Sequence, residues 1–402
     1  MISKIKKFFA LPFFNQKKYS IFIWLALAIF TALKLFLTFD KTKYNNYLIY
    51  KNVFFNTINQ ESLYAENTAL FLDSNHYGPL FSIIIAPFAL LPDGLGMIFW
   101  NVFNVGFLIW AVSKLPIKNA QINLIFWICA HELLTSLLAL QFNPLMTSII
   151  ILSFVFIHNK KEFWAAFFII VGTYVKLYGI VGLAFFFFSK NKLKFIGSLV
   201  FWAIVLFVLP MALSSPEFIL KSYLDWFESL VHKNDLNGSL TSMQDISVMG
   251  MVRRIFQNPT LPNLPFLLLG LIGFALPYSR INLYKNLKFR LLLLSSVLLF
   301  TVIFSTGSES PTYIIAFVGV AIWYVIKERP IAKLDIFLFI FALVLTSFSP
   351  SDLMPKYVRI HFIQPYALKT LPCILIWIKI IYEMFVLEQV QTVYVLKKIS
   401  NE

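Results

Sequence analysis

Apolar runs long enough to cross about 30 Å of hydrocarbon recur along this chain at 20–38, 95–112, 121–139, 142–158, 194–213, 263–278, 291–307, 309–326, 333–349 and 370–387. In lipid the backbone must satisfy its own hydrogen bonds, so only helices or closed barrels span, and runs of this length select helices. The chain therefore reads as an all-α polytopic membrane protein. Its 402 residues are 59% hydrophobic and 13% charged, with mean hydropathy +0.77, which excludes a soluble globular domain. Two stretches leave the path open. The run 79–92 is short and holds Pro87, whereas 162–189 is too long for one upright span and carries Lys176, Tyr178 and Gly179 near its middle. Either 79–92 re-enters and 162–189 is a hairpin, or 79–92 crosses and 162–189 is one tilted helix. Both versions predict about twelve crossings.

The chain holds 34 Lys and Arg against 19 Asp and Glu, a net charge of +15. These bases lie in short clusters between apolar runs rather than on one face, so they read as topology signal and no nucleic-acid partner is expected. The N-terminus MISKIKKFFALPFFNQKKYS leads into the first span without a small-residue cleavage site and predicts an uncleaved anchor. Positive-inside bias places the basic N-terminus 1–19, the clusters Lys190/Lys192/Lys194, Arg280/Lys285/Lys288/Arg290 and Lys327/Arg329, and the tail 388–402 with Lys397/Lys398 in the cytoplasm. The expectation is one integral domain over 1–402 in a bacterial-type cytoplasmic membrane, with both termini cytoplasmic. Segments 39–79, 214–262 and 350–369 then face outward. Cys129 and Cys373 lie within apolar runs, so neither a disulfide nor a thiolate metal site is expected.

The long outward loops are where chemistry is expected. In the first, Tyr47, Tyr50, Phe54, Ile58 and, loosely, Phe55 recur at helical spacing and predict an amphipathic helix on the outer membrane surface, with Asp40 before it and Asp73 and His76 after it. In the second, Asn237-Gly238-Ser239 predicts a turn, and Gln244-Asp245 leads to Arg253-Arg254. An outward arginine pair runs against positive-inside bias; binding an anion such as phosphate and snorkelling to head groups are the two accounts. His131-Glu132, Lys176, Glu309 and Lys379/Glu383 are ionisable residues in or beside apolar runs. Lys379 and Glu383, four apart, predict a structural ion pair, and Glu309 before Pro311 either caps a helix or acts in catalysis. His131-Glu132 lacks a second histidine at zincin spacing, since position 135 is Thr. No phosphate-cradling glycine loop, GxSxG elbow or dinucleotide fingerprint occurs in the sequence, and no cofactor or metal is expected.

A first span, an outward loop with an aromatic helix and Leu63-Tyr64, and then HYGPLFSIIIAPFALLPDGLGMIFWNVFN form a familiar order. Gln141-Phe142-Asn143, Val175-Lys176-Leu177-Tyr178-Gly179, the loop with Asn237 and Ser239, and SESPTY at 308–313 continue it. Over roughly 20–325 the chain resembles the membrane-embedded GT-C glycosyltransferases, and within them the group containing polyprenyl-phosphate-mannose-dependent alpha-mannosyltransferases. The resemblance implies a GT-C-like bundle, a polyprenyl-phosphate sugar donor, a lipid or glycan acceptor, an active site at the outer face and an acidic base in the first outward loop. Where many relatives carry an aspartate four residues before the tyrosine of the outward helix, this chain has Asn46, which takes no proton. Asp40, directly after the first span, is then the first choice of base, with Asp73 beside His76-Tyr77 close behind. Lys176, Arg253 and Arg254 are expected at the donor phosphate, with Lys356, Arg359 and His361 as second choices. Glu309 completes the catalytic candidates, and Asn46, His76, Tyr77, Gln141, Tyr178 and Gln244 the substrate-binding ones. A transporter with broken helices and a lipid-linked polysaccharide polymerase or ligase are the rival readings.

Overall fold

A computed structural model describes residues 11–69, 71–242 and 244–399, the side chains of 388–399 excepted. Lys4, Lys6 and Lys7, which carry much of the N-terminal sidedness signal, lie outside the described residues, as do the side chains of Lys397 and Lys398. The described residues are helices and loops without strands, and they divide into two compact units, Met1–Leu236 and Asn237–Glu402. Lys17–Phe36, Asp93–Ser113, Asn119–Leu138, Lys192–Ala212 and Leu368–Leu387 are each long and apolar enough to cross a membrane.

The first unit is built on α1 (Lys17–Phe36), which buries Ser20, Trp24, Ala28, Thr31, Ala32 and Leu35, a stripe at helical period. That stripe meets α4 (Asp93–Ser113) and α5 (Asn119–Leu138), both introduced by the chain after α2 (Asn45–Asn59) and α3 (Phe81–Ala89). Ser20 donates to Asn123 at 2.7 Å and Trp24 to the Phe126 carbonyl at 2.8 Å, while Asn101 donates to Thr31 at 3.1 Å. Such polar contacts tie helices together where apolar surface gains nothing by leaving lipid.

The structure shows how the segment 162–189 folds. α7 (Glu162–Val175) ends at Lys176, whose extended backbone turns the chain into a 3-10 helix, Leu177–Phe188. The two arms fold back on each other: Ser189 donates to Glu162 at 3.1 Å, Gly182 packs against Ile169, and Gly179 against Gly172. A Cβ on Gly179 would lie 2.2 Å from the Gly172 carbonyl carbon, so the seam demands glycine. The buried residues of the return arm are Gly179, Gly182, Phe185 and Phe188, a period of three that matches the three residues per turn of a 3-10 helix. The segment is thus a hairpin with Lys176 at its tip rather than in mid-helix. α3 has nine residues, about 14 Å of helix, and Phe81 and Phe88, near its two ends, both reach Trp100 of α4, at 6.0 and 5.4 Å between ring centroids. Lys114, Lys118, Lys160 and Lys161 consequently lie at the end of this unit away from the hairpin tip. α6 (Asn143–His158) runs back from the tip, and α8 (Lys192–Val208), beside α7 through the Trp202 bond to the Phe163 carbonyl at 3.0 Å, returns towards it. α9 (Pro216–Asn237) follows.

The second unit opens with α10 (Val248–Ile255) and α11 (Leu264–Ala275) and centres on α12 (Leu287–Ile303) and α13 (Tyr313–Val325), which pack on each other. α13 is buried on nearly every side, as a helix apolar all round should be. α14 (Lys333–Phe341) continues as a π-helix through Phe348, and α15 (Leu371–Ile399) joins α12 through Trp377 and Ser296 at 2.9 Å. The expected Lys379–Glu383 pair forms at 3.1 Å and is part of a wider clasp, in which Lys327 meets Asp335 at 3.1 Å and also bonds Glu383. Lys327 and Asp335 are distant in sequence from that pair, which hid the network.

Candidate active site

In the first unit a segment of the loop before α3 is folded by its own side chains. Asn75 accepts from the Tyr77 N–H at 3.0 Å and donates to the Tyr77 carbonyl at 3.0 Å, closing a local turn. Gly78 then docks on the hairpin tip: its N–H donates to the Val175 carbonyl at 3.0 Å, and a Cβ there would lie 2.1 Å from the Tyr174 carbonyl oxygen. This is why HYGPL needs its glycine. Tyr77 is fixed by the Tyr50 hydroxyl at 3.0 Å, by Tyr64 bonding its carbonyl at 3.1 Å, and by stacking on Phe81 at 4.7 Å.

Beside Tyr77 stands the tip lysine. Lys176 Nζ donates to Asn143 Oδ1 at 3.0 Å and lies 5.8 Å from the Tyr77 ring and 4.7 Å from the Tyr178 ring. Asn143 in turn donates to Gln141, and Asn46 donates to the Ala139 carbonyl at 2.8 Å. Five sequence-predicted residues, His76, Tyr77, Gln141, Lys176 and Tyr178, therefore belong to one contiguous cluster, with Asn46 bonded to the same turn between α5 and α6. Of the predicted stripe on α2, Tyr47, Tyr50 and Phe54 are buried; Phe55 and Ile58 are exposed, because the buried side continues through Val53 and Thr57 instead.

Asp73 anchors the outer part of the cluster. Lys233 of α9 bonds both its carboxyl oxygens at 3.0 and 3.2 Å, and His76 Nε2 lies 3.7 Å away. Partial burial acts to raise the Asp73 carboxyl, but hydrogen bonds from His76 and Lys233, the Lys233 charge and the Ser74 N–H outweigh it and hold it well below the usual carboxylate range. Asp40 is differently placed. It accepts from the Thr42 N–H at 3.0 Å and hydroxyl at 2.6 Å, capping the short turn Lys41–Tyr44, and these bonds hold its carboxyl low as well.

The remaining predicted residues belong to the second unit. Arg253 bonds Asp245 at 2.9 Å, Asn263 at 2.6 Å and the Leu261 carbonyl, and Arg254 bonds the carbonyls of Asp245, Ser242 and Gln244, each at 2.8 Å. The arginine pair has a structural reason: it clasps the loop around Asp245. Arg254 also lines a cavity of about 80 Å³ with Ser242, Ile246, Ser310, Gln364 and Lys369. Lys369, which the sequence reading did not single out, is buried and bonds Ser310 Oγ at 3.0 Å. Glu309 forms a capping box with Thr312. Arg359 pairs with Asp352 at 3.1 Å, and His361 stacks on Tyr357 at 4.4 Å while Nδ1 meets the Tyr357 carbonyl at 3.0 Å. Among the described residues no three His, Cys, Asp or Glu side chains are grouped to hold a metal.

His76, Tyr77, Gln141, Asn143, Lys176 and Tyr178 of the first unit's cluster lie in the region in which the chain is similar to known proteins. The profile of Glycosyltransferase family 87 matches residues 75–306, more than half of the chain. The chain belongs to glycosyltransferase family 87. That family is GT-C-like, so the chain is a membrane glycosyltransferase. No curated protein matches it. Within the matched region lie His76, Tyr77, Gln141, Lys176, Tyr178, Gln244, Arg253 and Arg254; Asp40, Asn46, Asp73, Glu309, Arg359 and His361 fall outside it. Sequence reading named Asn143 only within the Gln141-Phe142-Asn143 stretch and missed Asn75, Trp226, Ser229 and Lys233. The last three share one face of α9, a spacing visible in the sequence but without meaning until the residues they grip are known.

Proposed function

We propose that this family 87 glycosyltransferase moves a hexose, on its resemblance mannose, from a polyprenyl phosphate to a lipid or glycan acceptor at the outer face of the cytoplasmic membrane. Family membership carries the transfer chemistry. The Asp73–His76–Tyr77–Lys176 cluster supports its placement, because it sets a carboxylate and a cation on one docked loop and hairpin tip. As the acceptor oxygen attacks the anomeric carbon, Asp73 takes the hydroxyl proton and the bond from that carbon to the phosphate oxygen breaks. The phosphate leaves with the bonding pair, and Lys176 stabilises its charge. One displacement inverts the anomeric carbon. Asp40 is the second choice of base. The donor needs no nucleotide pocket, and its hydrocarbon enters from the bilayer; a bundle of about twelve crossings with cytoplasmic termini is the arrangement that goes with this reading.

The test is purified protein in lipid vesicles, supplied with a polyprenyl-phosphate hexose and a lipid acceptor extract, with release of polyprenyl phosphate followed over time. Stoichiometric release with sugar transfer is expected. Transfer from a nucleotide sugar and none from any polyprenyl-phosphate hexose would overturn the donor assignment.

A further inference from the structure

α9 has two opposed faces. At about 100° per residue, Ile219, Ser222, Trp226, Ser229 and Lys233 fall on one side, and Leu220, Leu224, Phe227 and Val231 on the other. The first side holds the loop of the candidate active site at three points. Trp226 Nε1 donates to the His76 carbonyl at 2.9 Å, Ser229 Oγ meets His76 Nδ1 at 2.9 Å and the Asn75 carbonyl at 3.3 Å, and Lys233 bonds Asp73 at 3.0 Å. The indole of Trp226 also closes on Gly78, where a Cβ would lie 2.9 Å from it. Ser229 Oγ and His76 Nδ1 share one hydrogen bond, and the other ring nitrogen, Nε2, faces Asp73 at 3.7 Å.

The second side carries Leu220, Leu224, Phe227 and Val231 at 48%, 70%, 68% and 48% exposure. An aliphatic and aromatic stripe of that kind is costly against water. Its location says what covers it. The apolar segment Lys192–Ala212 is long enough to span a membrane, and α9 begins at Pro216. The intervening link 213–215 reaches about 11 Å at most, so α9 starts at the membrane surface. Lys221 and Asp225, paired at 2.7 Å, lie between the two faces, as polar groups do at the edge of a helix lying in the head-group layer.

We propose that α9 is a membrane-seated positioning helix: lipid holds its Leu220–Leu224–Phe227–Val231 stripe, and Trp226, Ser229 and Lys233 on the opposite side hold Asp73 and His76 in place for transfer. These three are positioning residues that act through Asp73 and His76. The inference rests on the reading of Asp73 as the base, and the two fail in different ways. A carboxylate on an unsupported loop loses alignment with the acceptor, and misplacement of about 1 Å is enough to cost on the order of a hundredfold in rate.

The experiment uses the full chain in phosphatidylethanolamine and phosphatidylglycerol vesicles. Lys233→Met should lower kcat about tenfold or more with the KM for the acceptor within about threefold, and Lys233→Arg should recover most of the loss. Phe227→Cys and Glu228→Cys, each carrying an environment-sensitive dye, report the seat of the helix, since the natural Cys129 and Cys373 are both fully buried. Brominated lipid should quench the label at 227 and spare the one at 228. Phe227→Glu, on the exposed side where folding is not at risk, should reproduce the loss in kcat. Equal quenching at 227 and 228 overturns the membrane seat. Full activity of Lys233→Met beside an inactive Asp73→Asn overturns the positioning role and leaves the base standing; full activity of both overturns the two together.

Discussion

Asp73 and Asp245 are both loop aspartates bound to a basic side chain, yet their surroundings drive them in opposite directions. Asp73 keeps 45% of its side chain exposed and is held low by His76 and Lys233. Asp245 is 1% exposed beside Arg253, and burial, the largest influence on it, pushes its carboxyl up against the opposing bonds from Ser247 and Arg253. The partner is similar; the water differs. An acid that solvent and substrate reach, and that stays ionised, is available for chemistry, whereas one sealed under an arginine fork holds a loop together.

Substitution should separate the two. Asp73→Asn is expected to lower kcat by roughly 10²–10⁴-fold with little change in thermal stability, as measured by steady-state transfer and a melting curve on the same preparation. Asp245→Ala leaves Arg253 buried without its carboxylate and is expected to cost on the order of 3–5 kcal/mol in the second unit, seen as a lowered melting temperature. A smaller effect is expected from Lys176→Met, a rise in the donor KM of about tenfold, equivalent to about 1.4 kcal/mol; an unchanged donor affinity removes Lys176 from the phosphate.

The smallest effect is in pH, and there the two acids differ in sign. Asp73 has a lower pKa folded than unfolded, so its contribution to stability is present above the unfolded value of about 3.9 and is lost as pH falls through the depressed folded value. Asp245 has the higher pKa when folded, so its contribution is greatest below about 3.9 and is lost as pH rises through the raised value. Lys233→Met should therefore move the acid limb of transfer upward in pH, and Asp245→Asn should leave that limb in place.

Much of this was legible from residues alone. The α2 stripe of Tyr47, Tyr50 and Phe54 and the Lys379–Glu383 pair follow from helical spacing, Lys176 stood out as charge placed where lipid is expected, and its grouping with His76 and Tyr77 came from the family resemblance. What remained hidden came from partners far apart in sequence. Lys233 finds Asp73 across 160 positions, Lys327 finds Glu383 across 56, and Lys369 finds Ser310 across 59. The contacts of the arginine pair were hidden because guanidinium forks suit carbonyls as well as phosphates, and sequence does not say which is within reach. Nor does a strict α period detect Leu177–Phe188, whose buried residues repeat every three.

That last feature sets a rule for how the hairpin tolerates changes in length. The 3-10 return arm rises about 2.0 Å per residue, so its 12 residues extend about 24 Å, against about 21 Å for the 14 residues of the α-helical arm. Each residue also turns the arm by about 120°. Losing or gaining one amino acid between Lys176 and Gly179 would rotate Gly182, Phe185 and Phe188 off the seam together and bring bulky neighbours against Gly172, while a change of three would restore the facing side. Viable length variants of this segment should therefore differ by multiples of three residues, a frame that an alignment of its descendants would display.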